Sequence, residues 1–207
     1  MPSIISHPAV PLAIGLGLGA DVVPQSLLIG GIVASVIPDI DVLSFSSRVQ
    51  SGKAFAHRGL THSFSFAAVL ALLGALAFWG ATGGFFNSFI FLFLSAGSHG
   101  ILDAFTNGGS GVALLWPWSS ERYFAPLRPI LVSPISVPRF LSMRGVHVLI
   151  SEATWVWMPC ILLWLALAFF RPLGSPALAA TTRAREFSAV DLAQRDPSVP
   201  SNQVALG

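Results

Sequence analysis

Acids and imidazoles in this chain gather at the ends of apolar segments. Three blocks carry them: Pro38-Asp39-Ile40-Asp41, His57-Arg58-Gly59-Leu60-Thr61-His62-Ser63 and His99-Gly100-Ile101-Leu102-Asp103, with His7 upstream. Imidazole nitrogens and carboxylate oxygens together form a ligand set for zinc, manganese or iron. His99 and Asp103 are four residues apart, which puts both on one face of a helix. Extended backbone through Asp39-Ile40-Asp41 points both carboxylates the same way. Gly59 breaks the chain between His57 and His62, and Thr61 or Ser63 offers an N-cap to the helix that follows. Gly97 and Gly100 let a neighbouring helix approach His99 closely. The seven candidate ligands, His7, Asp39, Asp41, His57, His62, His99 and Asp103, exceed the three protein ligands of a single catalytic zinc. They suit one or two divalent ions, and two ions sharing a bridging carboxylate is an arrangement used on phosphoesters.

Each block also has a plainer reading. An Asp-x-Asp after proline can simply end a helix, and His57 can be an interfacial residue. His99 and Asp103 can make a structural hydrogen bond between helices, although ionisable groups in apolar helices are expensive and point first to function. Glu152 lies about one turn inside the last apolar run. It is a candidate ligand or proton acceptor, or else a hydrogen-bond partner. His147, five residues earlier, does not share its face. Arg58, Arg122 and Arg128 are candidates for binding phosphate oxygens, against the alternative of snorkelling to the membrane interface. Ser63 stands at a helix N-terminus, where a phosphate is readily seated.

The elements that must position these groups are apolar. Of 207 residues, 54% are hydrophobic and 10% charged, and mean hydropathy is +0.74. A soluble domain carries about a quarter charged residues, so the expected class is an integral membrane protein. Net charge is +2, with one lysine and no basic cluster, which argues against a nucleic-acid partner. Cys160, the one cysteine, cannot form an internal disulfide. The N-terminus has neither a basic n-region nor a small-residue cleavage site, so it does not read as a cleaved signal peptide.

Residues 63–82, 85–106 and 147–170 are each long enough to span a bilayer, which takes about 20 residues. Segments 8–20 and 25–37 reach only about 20 Å each at helical rise, and read as a short hairpin buried against other helices. The expected fold is therefore all-α: a polytopic membrane bundle of three long spans plus a short N-terminal helical hairpin. The membrane-embedded part is residues 1–171. Residues 172–207 read as a polar, disordered tail, with a short helix near 181–195. Loops 39–62 and 107–146 hold most of the arginines, which places both in the cytoplasm. Three spans then put the tail outside, in mild conflict with the four arginines from Arg171 onward. On this topology all seven candidate ligands converge on one leaflet.

At these blocks the chain resembles the YdjM-like family of LexA-regulated, inner-membrane, metal-dependent hydrolases. The matching elements are His7-Pro8, Pro38-Asp39-Ile40-Asp41, His57-Arg58-Gly59-Leu60-Thr61-His62-Ser63 and His99 through Asp103-Ala104-Phe105-Thr106-Asn107-Gly108. The likeness covers about residues 5–120 well, the last span loosely, and the tail after Arg171 not at all. It implies a bacterial or archaeal multi-pass protein of the cytoplasmic membrane with hydrolase activity. The His-x-x-x-Asp helix is also similar to zinc-dependent phospholipase C enzymes, though His147 and Glu152 depart from their His-x-x-x-Glu spacing.

The function expected is metal-assisted hydrolysis of a phosphoester, such as a lipid headgroup, at the cytoplasmic membrane interface. Zinc is the expected ion, with manganese or iron as alternatives, and Asp41 or Glu152 would accept the proton. The interfacial position favours an amphiphilic phosphoester as partner, alongside the lipid bilayer itself. The alternatives are a non-catalytic membrane protein fastened by a structural metal, and a metal or proton transporter. A transporter should show polar groups along a path across the membrane, which span 63–82 lacks beyond its start.

Overall fold

In a bilayer an apolar run satisfies its backbone polar groups as a helix or within a closed barrel, and helices are what the chain forms. The computed structural model describes residues 1–40, 58–82, 84–134 and 136–171, with the side chains of residues 80–82 outside that description. Among the described residues the α-helices are α1 (Ala9–Leu18), α2 (Gln25–Val36), α3 (Phe64–Thr82), α4 (Phe85–Ala104), the single turn α5 (Val137–Phe140), α6 (Met143–Glu152) and α7 (Met158–Phe170). No strands form there, only two isolated bridges, Thr106 with Ile130 and Val112 with Tyr123. Met1–Phe170 makes one compact unit.

Among the described residues two helices are long and apolar enough to cross a membrane, Phe85–Ala104 and the 28-residue Met143–Phe170. The second begins earlier than the sequence suggests, at Met143 rather than residue 147, and runs through a π-helical turn at Ala153–Trp157. Pro159 explains that turn. A proline inside a helix has no N–H to donate and its ring crowds the carbonyl four residues back, here Trp155, and a widened turn relieves both. The third expected span is the 19-residue α3, whose portion Phe64–Trp79 counts among the shorter apolar helices. The expectation of three long spans is thus met for two. The expected hairpin is present as α1 and α2, at 10 and 12 residues.

The helices meet through small residues. Leu27, Ala34, Ala67, Ala71, Phe91 and Ala96 form the core between α2, α3 and α4. Ala9, Ala13, Val156 and Cys160 join α1 to the last helix. Lipid tails are as apolar as leucine, so close backbone approach and dispersion must hold such helices together. Gly31 of α2 leaves the room that the Phe91 ring occupies, and Gly17 of α1 does the same for Leu167.

Two features of this frame reach the polar end. The last helical bond of α2 runs from the Ile37 N–H to the Val33 carbonyl, after which a 3-10 turn, Ile37–Ile40, carries Asp39. On the other side, Leu60–His62 forms a second 3-10 turn. Ser63 then caps α3, its Oγ accepting from the Phe66 N–H at 3.1 Å and donating to the Leu60 carbonyl at 2.7 Å. The segment after α4 folds back over this end, with main-chain bonds from Phe64 to Leu114, Ala113 to Arg58 and Ala125 to Ala104.

Candidate metal centre

Five of the seven sequence candidates come together. His7, Asp39, His62, His99 and Asp103 are all buried. Asp41 and His57 lie outside the described residues. His62 Nε2 lies 3.1 Å from His99 Nε2, and Asp39 Oδ1 is 3.3 Å from the His99 nitrogen and 3.7 Å from the His62 nitrogen. Asp103 Oδ2 is 3.4 Å from His62 Nε2, and His7 Nε2 is 3.7 Å from Asp39 Oδ2. The His7 ring stacks on His99 with centroids 3.7 Å apart and planes within 12°. The hairpin therefore does return His7 and Asp39 to one place.

These donors are presented but not consumed. Among the described residues, both nitrogens of His7 and the carboxylate oxygens of Asp39 and Asp103 are buried without a hydrogen-bond partner, although Asp103 is ion-paired with Arg58. An uncharged polar atom buried this way, such as those of the His7 ring, costs about 1–3 kcal/mol when left unsatisfied. Their chemistry fits a divalent ion. Two nitrogen ligands at about 2.0–2.1 Å from a tetrahedral zinc lie about 3.3–3.4 Å apart, close to the separations around His99. Two ligand triads are possible: His7, His99 and Asp103, and Asp39, His62 and His99.

The second layer sets the ligands' states. His99 Nδ1 lies 2.7 Å from the Ser35 carbonyl. A carbonyl can only accept, so Nδ1 carries the proton and Nε2 turns its lone pair to the cluster. Thr61 Oγ1 stands 3.0 Å from His62 Nδ1. Burial, reinforced by the neighbouring His99, pushes the His7 pKa down to about 3, which keeps that ring neutral and able to ligate. For Asp39, burial works to raise the pKa, but the facing His62 and His99 rings prevail and hold the carboxyl below its usual range. Gly100 permits the whole approach: a Cβ there would strike the His62 carbonyl.

Arg58 is the largest fully buried side chain nearby, and its backbone takes the left-handed conformation, φ 64°. Its Nε lies 3.1 Å from Asp103 Oδ2, while its other nitrogens donate to the Gly108 carbonyl and Thr106 Oγ1. That guanidinium is turned inward to fix a ligand carboxylate. Ser63 is occupied as a helix cap. Arg122 donates to Ser110 at 2.9 Å, and Arg128 stacks over Phe124 at 4.7 Å.

Glu152 stands in a different network. Its carboxylate accepts from the Ser3 N–H, the Ser3 hydroxyl and the Ser6 hydroxyl, and Trp157 Nε1 donates to Ser6 Oγ at 3.1 Å. It thus ties the segment that carries His7 to the last helix. His147 is exposed. Ser3, Ser6, Ser35 and Thr106 were not among the sequence candidates. Ser6 adjoins His7 and could have been suspected for that reason, but Ser35 acts through its main chain and gives no side-chain signal.

The arrangement also has relatives. The family described as YdjM inner membrane protein matches residues 1–173. The chain belongs to this family. The match takes in the last helix, which the sequence motifs alone covered loosely. A relative, the "Inner membrane protein YbcI" of Escherichia coli (strain K12), is 49% identical over 166 residues, covering 79% of this chain and 95% of that protein. No solved structure matches. As a YdjM-family member the protein is an inner membrane protein, and its apolar helices agree with that setting.

Proposed function

We propose that the protein is a membrane-embedded, metal-dependent hydrolase acting on a phosphoester, such as a lipid headgroup, at the cytoplasmic face of the inner membrane. The observation that carries this reading is the convergence of the buried His7, Asp39 and Asp103 on the His62–His99 pair, with no hydrogen bond to the His7 ring or the Asp39 carboxylate among the described residues. Those five side chains would hold the ion. A divalent ion such as zinc, manganese or iron supplies Lewis-acid charge to a phosphoryl oxygen and lowers the pKa of water. Because His99 Nδ1 is committed to Ser35, only one lone pair of that ring serves both triads. A single imidazole lone pair binds one ion, which favours one ion over two among the described residues.

The chain's own residues then divide the work. Arg58 orients Asp103, and Ser35 and Thr61 orient His99 and His62. Glu152, proposed from sequence as a proton acceptor, has its carboxylate filled by serine donors and fits a positioning role behind His7 better. Asp41, two residues from Asp39, is the proposed proton acceptor, and His57 the proposed further ligand. Arg122 and Arg128, on the covering segment, are proposed to meet the phosphate, in place of the inward-turned Arg58 and the helix-capping Ser63. In this reading α3 is the third membrane crossing, residues 1–171 are the hydrolase-like part, and residues 172–207 are a polar tail.

Metal analysis of protein purified without added metal tests the site. Wild type is expected to carry about one transition-metal ion per chain, and His62→Ala to carry none while still inserting in the membrane. Equal metal content in both would remove the reading. Turnover of a phosphoester panel in detergent, abolished by chelator, tests the chemistry. A second reading, a structural metal fastening the helices, is favoured by the near-complete enclosure of all five side chains. It predicts metal loss together with loss of thermal stability, and no turnover on any ester.

A further inference from the structure

A cavity of about 810 Å³ opens beside the cluster. Ile4, Ile5, Val33, Val36, Ile37 and Phe140 are among the residues of its wall, and among the described residues Asp39 is the one ionisable side chain in it. Clefts of about 300–1,000 Å³ are the size that holds a small ligand. Its polarity is graded. Ile4, Ile5, Val33 and Ile40 are each more than half exposed at the mouth, whereas Asp39 is 8% exposed. Asp39 is also the residue whose carboxylate lies against His7, His62 and His99.

From this geometry we infer that the cavity receives the acyl chain of a membrane phospholipid and brings that lipid's polar end to the His/Asp cluster. The inference rests on the hydrolase reading for what happens at that end, but the acyl-chain assignment stands on the cavity alone. Four observations support it. The mouth is lined with exposed isoleucine and valine in a protein of the inner membrane, so lipid is the medium it faces. Among the described residues the wall offers a soluble anion no cationic or amide side chain. A single acidic residue closes the polar end, and it belongs to the proposed ion's ligand set, so an anionic headgroup would meet the ion's charge there. The wall is shared by the N-terminal segment and α2, and these two elements also carry His7 and Ser35. An amphiphile seated there would lie along the elements that build the cluster.

The test uses the full-length protein in vesicles of phosphatidylethanolamine and phosphatidylglycerol, the latter carrying a diazirine in its acyl chain. After irradiation, adducts are mapped by peptide mass spectrometry. Labelling is expected to concentrate severalfold on Ile4–Ile5 and Val33–Ile37 relative to Ile161–Leu165, whose leucines and isoleucine are exposed on the last helix and report ordinary lipid contact. Val36→Trp, which replaces a wall residue that is not itself a candidate ligand, should bring the labelling down to the Ile161–Leu165 level. Val33→Trp, at the mouth, is the second variant should the first fail to insert. Equal labelling of both regions, or enrichment that survives both substitutions, overturns the inference. A diazirine fatty acid run in parallel distinguishes the source of the chain: enrichment with the free acid and not with the phospholipid also overturns it. In His62→Ala, retained cavity labelling with lost metal is expected. Cavity labelling in a wild type without metal would sink the hydrolase reading and leave the cavity assignment standing.

Discussion

The two long apolar helices of this protein are alike in hydropathy and opposite in use. Half of the apolar window of α4 is buried, against 11% for the window in Met143–Phe170. Helix α4 buries Ser88, Ser95, Ser98, His99 and Asp103 along one side, whereas α7 buries only Cys160. Both could cross a bilayer, yet α4 is surrounded by protein on more of its circumference and carries a buried imidazole and carboxylate near its end. The contrast shows what lets a membrane helix hold a carboxylate: neighbours supplying counter-charge and polar contacts, here Arg58, His62 and the covering segment after α4. The last helix places its one buried carboxylate at Glu152, where Ser3 and Ser6 satisfy it, and from Met158 to Phe170 it is apolar.

The contrast can be broken most forcefully at Asp103. Asp103→Ala removes the carboxylate that faces Arg58 Nε, and removing one partner of a buried ion pair costs about 3–5 kcal/mol. Thermal unfolding in detergent should show that loss, and metal analysis should show the ion gone. If Asp103→Ala behaved like a substitution on α7, the distinction between the two helices would fail. Next comes Gly100→Ala. The added methyl meets the His62 carbonyl, so the turn carrying His62 must move away from His99. Metal affinity should fall by about tenfold or more, as for a disturbed outer shell, with insertion intact. Glu152→Gln should be milder still in its effect on the cluster. It weakens the serine network at a cost of about 1–3 kcal/mol and lowers metal affinity only through His7. The smallest effect belongs to α7: Leu162→Ala should alter stability by about 0.5 kcal/mol or less. A larger change there would mean that the exposed face is covered by something other than lipid.

Much of this was legible in the chain. Uninterrupted apolar runs marked the helices, and polar blocks at their ends marked the cluster, because burying an acid or an imidazole without a purpose is costly. His99 and Asp103 could be paired from their spacing alone. What could not be read depended on three-dimensional neighbours. Arg58 looked like a solvent-facing phosphate ligand because a surface arginine and a buried one have the same letter; only its left-handed backbone and the Asp103 contact turn it inward. Glu152 looked like an acid in need of a task because its serine partners lie some 146–149 residues away in sequence. The start of the last helix was missed because Ser142, Met143 and Arg144 read as loop chemistry, although Ser142 is in fact its cap.

Pro38 carries no donor, and it stands where the helical ladder of α2 ends. With no N–H at residue 38, the next rung, to the Ala34 carbonyl, is missing, and the last one reaches Val33. The chain tightens there into the turn that carries Asp39. The neighbouring Ser35 carbonyl faces His99 Nδ1. That bond is indifferent to the side chain at 35, so Ser35→Ala would leave the tautomer of His99 as it is. The frayed end of one helix thereby serves two candidate ligands, offering a carboxylate from its turn and a carbonyl that fixes the hydrogen of an imidazole on another helix.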